Sequence, residues 1–260
     1  MTLLYILTVI CSLFIHLLST DIPVLIAAEA LIISACLYFY RRNRPVFVPA
    51  LFFALNAVTS PFIFYFIRRY SIFIPQINFL APMAIYLAVV LPYKGFREHI
   101  GWLRAGRITK KVLSLIAVLA AVSALGLIIW AEFISGGMSQ YVKFIPDVSL
   151  PVLILYGLAF PCFNAVFEEF VSRAVMYDGL SNTLKSPAAV ILIQAALFAL
   201  WHYQGFPGGA AGVGMVFVWS VFLGSLRKIS GGMLAPLIGH YFADLAIGLI
   251  LLFTVVLPGS

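Results

Sequence analysis

The chain has 260 residues, of which 63% are apolar and only 10% are charged, whereas a soluble globular domain is about half apolar and about a quarter charged. This composition excludes an ordinary soluble domain and indicates a polytopic membrane protein. The formal charge of +7 does not indicate nucleic-acid binding, because the cations stand in short clusters between apolar runs, as in loops that face the cytoplasm.

Nine apolar segments are predicted to be membrane-spanning helices, since a helix needs about 17 to 25 residues to cross the bilayer. We therefore predict an all-α fold, a polytopic transmembrane helical bundle of about eight or nine spans. The first segment lacks the basic start and small-residue end of a cleaved signal peptide, so we expect it to be retained. The segments are 3–19, 22–40, 46–67, 72–93, 112–134, 150–183, 188–204, 210–226 and 233–256.

The positions of Lys and Arg predict the orientation, because cytoplasmic loops are enriched in cations. Twelve of the 16 cations fall in loops on the side of the N-terminus, which we therefore place in the cytoplasm. Arg68, Arg69 and Lys143 fall on the other side, and a tilted or broken third span around Pro61 would explain the first two. The twelve are Arg41, Arg42, Arg44, Lys94, Arg97, Arg104, Arg107, Lys110, Lys111, Lys185, Arg227 and Lys228.

Residues 94–111 form a basic segment between the fourth and fifth spans. Apolar residues among its cations predict an interfacial helix held against anionic lipid, with a solvated cytoplasmic loop as the alternative. We predict two domains. The N-terminal domain, residues 1–149, contains the first five spans and this basic segment, and the second domain, residues 150–260, contains the last four spans.

Ionisable residues inside the later spans mark a candidate functional site, since a charge in the bilayer is costly and usually faces a partner or a wet cavity. Residues four apart share a helix face, so Glu169 can pair with Arg173. Helical rise places Glu168 and His202 at similar depth. A purely structural role, in which these side chains hold helices together, is the alternative. The candidates are Asn164, Glu168, Glu169, Arg173, His202, His240 and Asp244.

Three short motifs carry a family resemblance. "EEFVSR" (168–173), "FALWH" (198–202) and "HYFAD" (240–244) resemble the EExxxR, FxxxH and HxxxN/D motifs of the CPBP family of intramembrane proteases. This family includes the CAAX-processing endopeptidase and bacterial bacteriocin-processing and immunity proteins. The resemblance covers about residues 150–256, in the family's motif order, and the first five spans carry none.

The resemblance implies a function for each motif residue. Glu168 would be the general base that activates water, and His202 would help to hold that water. His240 and Asp244 would stabilise the oxyanion. Supporting residues would be Glu169, Arg173, Asn164 and Phe198.

Asp244 departs from the Asn that CAAX-processing members carry at this position, and ionised Asp cannot donate a hydrogen bond. Asp244 would therefore be protonated, orient His240 or bind a metal. We favour a metal-free glutamate mechanism without a cofactor, because the HExxH arrangement is absent. The alternative is a metalloprotease in which Glu168, His202, His240 and Asp244 bind zinc.

The expected function is intramembrane endopeptidase activity in the lipid bilayer on a membrane-embedded or lipidated protein or peptide. A CAAX-type protein and a membrane-anchored sorting signal are both compatible substrates. Two other classes stay open. One is a membrane transporter or proton relay, since intramembrane Glu and His also serve transport, and the other is a non-catalytic immunity or assembly factor.

Overall fold

A computed structural model describes residues 1–18, 21–70, 77–136, 138, 141–142 and 145–256. Within these residues every regular element is helical, which confirms the all-α prediction. The α-helices are α1 (Thr2–Leu18), α2 (Ile22–Arg42), α3 (Arg44–Tyr70), α4 (Ile77–Val90), α5 (Lys94–Arg97), α6 (Lys110–Phe133), α7 (Leu150–Glu169), α8 (Tyr177–Ser181), α9 (Pro187–Trp201), α10 (Gly209–Ser230) and α11 (Leu234–Leu251).

Seven helices in the described part of the chain are long and apolar enough to cross a membrane. The shorter apolar helices α1 and α4 coincide with the predicted first and fourth spans. Because α3 runs without interruption through Pro61, the break considered there does not occur. Residues 71–76, which include the start of the predicted fourth span, and Lys143 lie outside the described residues. The predicted polytopic helical fold is confirmed, while the orientation of the N-terminus stays a prediction.

The chain divides into two compact units. The first unit comprises residues 1–103 and 171–190, and the second comprises residues 104–170 and 191–260. In the second unit α11 packs against α6, α7 and α10. The second unit contains every candidate site residue except Arg173. The predicted functional division between residues 149 and 150 stays a prediction.

The basic segment 94–111 is mostly a loop, because only α5, its first turn, and the start of α6 are helical. In the first unit the backbone N–H of Gly101 donates to the Asp178 carboxylate at 2.6 Å. In the second unit the backbone N–H groups of Met233 and Leu234 donate to the carbonyls of Arg104 and Ala105 at 2.9 and 3.0 Å. The predicted interfacial helix is therefore wrong beyond its first turn, since these backbone groups bond to distant residues and not along a helix.

The α10–α11 turn interlocks with the loop at residues 104–107. Gly106 has a φ of 84°, a left-handed conformation that favours glycine, and Arg107 N donates to Ser230 O at 2.8 Å. A Cβ added to Gly232 would collide with the backbone of Arg104, Ala105 and Gly106. The start of α11 is thus fixed to the loop, six residues before His240.

The Gly232→Ala substitution is expected to destabilise the protein by about 1–3 kcal/mol or more, because the added methyl group meets backbone atoms that have no side-chain freedom to move. The Gly157→Ala substitution is the matched control, since a Cβ there meets no heavy atom within 4 Å. Thermal denaturation of both variants in detergent measures the effect. Equal midpoints for the two variants would contradict the interlock.

The sixth predicted span is not one regular α-helix. It consists of α7, a π-helix at Phe170–Met176 and the short α8. The π-helical turn begins directly after Glu169. Such turns inside α-helices occur frequently at functional sites.

Candidate active site

Glu168 and His202 lie next to each other in the second unit. Glu168 Oε2 is 3.4 Å from His202 Nε2, and both side chains are 14% exposed. His202 Nδ1 lies 2.9 Å from the carbonyl oxygen of Phe198. Because a carbonyl only accepts hydrogen bonds, Nδ1 carries the proton and donates. A neutral His202 therefore presents an unprotonated Nε2 toward Glu168.

His240 lies among three carboxylates. Its Nδ1 is 2.7 Å from Glu169 Oε1, which is the distance of a charge-assisted hydrogen bond. Its Nε2 is 3.5 Å from Glu168 Oε2 and also 3.5 Å from Asp244 Oδ1. The buried Glu169 carboxylate thus orients the ring, and the other ring nitrogen faces the remaining acids.

Asp244 has two differently placed carboxyl oxygens. Oδ2 accepts a hydrogen bond from Asn164 Nδ2 at 2.9 Å. Oδ1 faces His240 Nε2. Oδ2 is therefore a hydrogen-bond acceptor, while Oδ1 can have a different hydrogen-bonding role.

Aromatic side chains pack around both imidazoles. The Phe198 ring centroid lies 4.4 Å from that of His202 and 6.3 Å from that of His240. Trp219 on α10 packs edge-on against His240, with centroids 4.7 Å apart and ring planes at 89°. These rings limit rotation of the imidazoles and shield them from water.

A cavity of about 530 Å³ adjoins this cluster and is lined by His202, His240 and Asp244 together with apolar residues of α6, α10 and α11. We call it the apolar cavity. Val122 on α6 and Val218 and Phe222 on α10 line it and are 61%, 55% and 53% exposed. The cavity therefore reaches the outer surface between two membrane-spanning helices.

The structure brings together seven of the candidate residues, whose catalytic and supporting roles stay predictions: Asn164, Glu168, Glu169, Phe198, His202, His240 and Asp244. Arg173 belongs to the first unit, where it is fully buried and donates to Ser172 Oγ at 2.8 Å. Its pairing with Glu169 stays a prediction.

Two features of the site were not predicted from the sequence, namely the contact of Glu169 with His240 and the packing of Trp219. The buried residues Gly212, Val216, Ser220 and Leu223 recur at helical spacing along α10. This stripe marks the inward face of α10 beside Trp219, and it was the signal available in the sequence.

A metal ion would need at least three suitably placed ligands. Among the described residues, no group of three or more His, Cys, Asp and Glu side chains has an arrangement suited to hold one. The catalytic steps proposed for this site therefore use only side chains of the protein.

The fold and this site define an integral, multi-pass membrane protein with a carboxylate–imidazole cluster beside an apolar cavity. Residues 150–246 match the family model described as type II CAAX prenyl endopeptidase Rce1-like. The matched model describes the CPBP/CAAX protease family, so the predicted resemblance is confirmed for residues 150–246. This similarity supports a protease function. No curated protein and no solved structure showed significant similarity to the chain.

Proposed function

We propose that the protein is an intramembrane endopeptidase that hydrolyses a peptide bond in a lipidated or membrane-anchored protein, with water activated by Glu168. The observation that carries the proposal is the position of Glu168 within 3.5 Å of Nε2 of both His202 and His240, beside a cavity that reaches the outer surface between α6 and α10. Hydrolysis requires a base in reach of a water molecule and donors aimed at the developing oxyanion.

The first step activates the water molecule. Glu168 accepts one proton from the water, and the unprotonated Nε2 of His202 accepts a hydrogen bond from the other O–H. The water oxygen then bonds to the carbonyl carbon, and the carbonyl oxygen becomes an oxyanion. Because His202 Nδ1 is held by the Phe198 carbonyl, the ring keeps the tautomer that this step needs.

The second step stabilises and resolves the tetrahedral intermediate. His240 is doubly protonated, so that Nδ1–H donates to Glu169 and Nε2–H donates to the oxyanion. Protonated Asp244 adds a second donor from Oδ1. The C–N bond then breaks, and Glu168 returns its proton to the leaving amine.

The apolar cavity supports a substrate with an apolar chain, such as a lipid group or a membrane segment. Its volume of about 530 Å³ falls in the range of about 300–1,000 Å³ that is typical of ligand cavities. An apolar chain that enters from the membrane through the gap between α6 and α10 would reach His202 and His240 without passing through water.

The test uses purified wild-type protein in proteoliposomes with two peptides of identical sequence, one lipidated and one not. Mass spectrometry is expected to detect one internal cleavage in the lipidated peptide and a much slower reaction of the other. Peptides that remain intact, together with ion-gradient-dependent uptake of a solute, would replace the protease proposal with the transporter alternative.

The Asp244→Asn substitution is expected to preserve at least a substantial fraction of the activity. Its amide oxygen can accept from Asn164 while its amide nitrogen donates from the position of Oδ1, without needing a proton. Cleavage assays and metal analysis of the same preparations measure the outcome. Stoichiometric zinc in active wild type, with loss of both zinc and activity after chelation and in Asp244→Asn, would establish the zinc mechanism instead.

A further inference from the structure

A second pocket lies beside the loop that follows His202. Its volume is about 400 Å³, and it is formed by the end of α6, Tyr141, residues 203–205 and residues 208–211. We call it the loop pocket. Tyr203 follows His202 directly in the chain, and Ala211 lines both the loop pocket and the apolar cavity. The loop pocket therefore adjoins the candidate active site within the same unit.

The lining of the loop pocket is polar but uncharged. Tyr203 is 60% exposed, and Gln204 is also exposed. Within the described residues, neither the Tyr203 hydroxyl nor the Gln204 amide makes a hydrogen bond. Both groups can therefore bond to a ligand, and the amide can both donate and accept.

The Tyr141 phenol adds no charge to the loop pocket at physiological pH. Burial raises the pKa of the Tyr141 phenol, and a backbone hydrogen bond with Gly208 opposes that rise. The phenol is therefore neutral at physiological pH. A lining of this kind suits the alternating donors and acceptors of a peptide backbone better than it suits an ion, which needs a compensating charge.

The walls of the loop pocket are preformed. Phe206 packs against Trp130 and Tyr141 with ring centroids 5.0 and 4.8 Å away. Gly212 allows the Pro207 carbonyl to approach α10 so closely that a Cβ would collide with it. A ligand that enters this pocket does not have to order the loop first, which lowers the entropic cost of binding.

We propose that the loop pocket binds the uncharged polar peptide segment of the substrate next to the cleaved bond, while the apolar part of the same substrate occupies the apolar cavity. The inference rests on the proposed function. It narrows the substrate class to molecules that combine an apolar chain with an uncharged, hydrogen-bonding peptide segment on the other side of the scissile bond.

The experiment measures KM and kcat for lipidated peptides that carry a short or a long uncharged segment beyond the cleaved bond. For the long peptide, Gln204→Ala and Tyr203→Ala are each expected to raise KM by about two- to tenfold with kcat unchanged, as expected for the loss of one hydrogen bond. The short peptide should show no change. Tyr93→Ala is the matched control, since Tyr93 is a 53% exposed tyrosine of the first unit.

The outcomes separate the two proposals. If wild type cleaves normally, and if neither Gln204→Ala nor Tyr203→Ala changes the KM for the long peptide, the loop-pocket proposal is overturned. The proposed protease function is then unaffected. An acidic segment that binds more tightly than the uncharged one would also overturn it. Absence of any cleavage by wild type would overturn both proposals.

Discussion

Replacing Glu168 with glutamine is expected to lower the rate of peptide cleavage by about 10²-fold or more, the usual contribution of a general base. Glutamine keeps the size of the side chain and its capacity to hydrogen-bond near His202, but it cannot take a proton from water. The His202→Ala substitution should have a similar effect, because it removes the acceptor that lies 3.4 Å from the Glu168 carboxylate.

Initial rates for wild type and Glu168→Gln, normalised to folded protein, measure this effect. Glu132→Gln is the matched control, since Glu132 is an exposed glutamate of the same unit and is expected to be replaceable without loss. Unchanged thermal denaturation of Glu168→Gln would show that the loss is chemical. If the Glu168→Gln variant kept more than about a tenth of the wild-type rate, Glu168 would not be the general base.

Removing the Glu169 carboxylate is expected to be the second most damaging change. In Glu169→Ala, His240 Nδ1 loses an acceptor at 2.7 Å, so the ring loses both its orientation and the negative charge that stabilises its doubly protonated form. We expect kcat to fall at least about tenfold, as for other residues that orient a functional histidine. KM should change little, because Glu169 does not line the apolar cavity or the loop pocket.

The Glu169→Gln variant separates orientation from charge. Glutamine keeps an oxygen that can accept from Nδ1–H, so this variant should recover part of the activity lost in Glu169→Ala. A pH–rate profile adds an independent test. Because the proposed mechanism needs doubly protonated His240, activity should be lost at high pH, and this loss should begin at a lower pH in the variant, where protonated His240 is less stabilised. Lower thermal stability in both variants with a wild-type kcat and pH profile would assign Glu169 a structural role only.

The bounds of the spans were predictable because bilayer thickness determines how long an apolar helix must be. The α6 bounds, Lys110–Phe133, differ from the predicted 112–134 by only two residues at one end and one at the other. The convergence of Glu168 with His202 was also predictable, since both depths follow from the helical rise. Motif order then identified which later span would supply His240.

Other features depend on tertiary contacts that no local pattern encodes. The spacing of Glu169 and Arg173 predicted a pair along one helix, but helical spacing does not predict which side chains of a neighbouring helix are in contact. The contact of Glu169 with His240 was therefore missed, since it depends on how α11 packs against α7. The basic segment carried an amphipathic pattern, yet long-range backbone bonds of Gly101 and Arg104 outweigh helix formation there.

The interlock between residues 104–107 and the α10–α11 turn bears on where the protein tolerates insertions. Exposed polar loops usually accept epitope tags, reporter domains and protease sites. Here the backbone carbonyls of Arg104 and Ala105 accept from the backbone N–H groups of Met233 and Leu234 at the start of α11, the helix that carries His240. An epitope inserted at Gly106 is therefore expected to lower activity by displacing the helix that carries His240. From its polar composition alone, this loop would have been chosen as a site where a label has no effect.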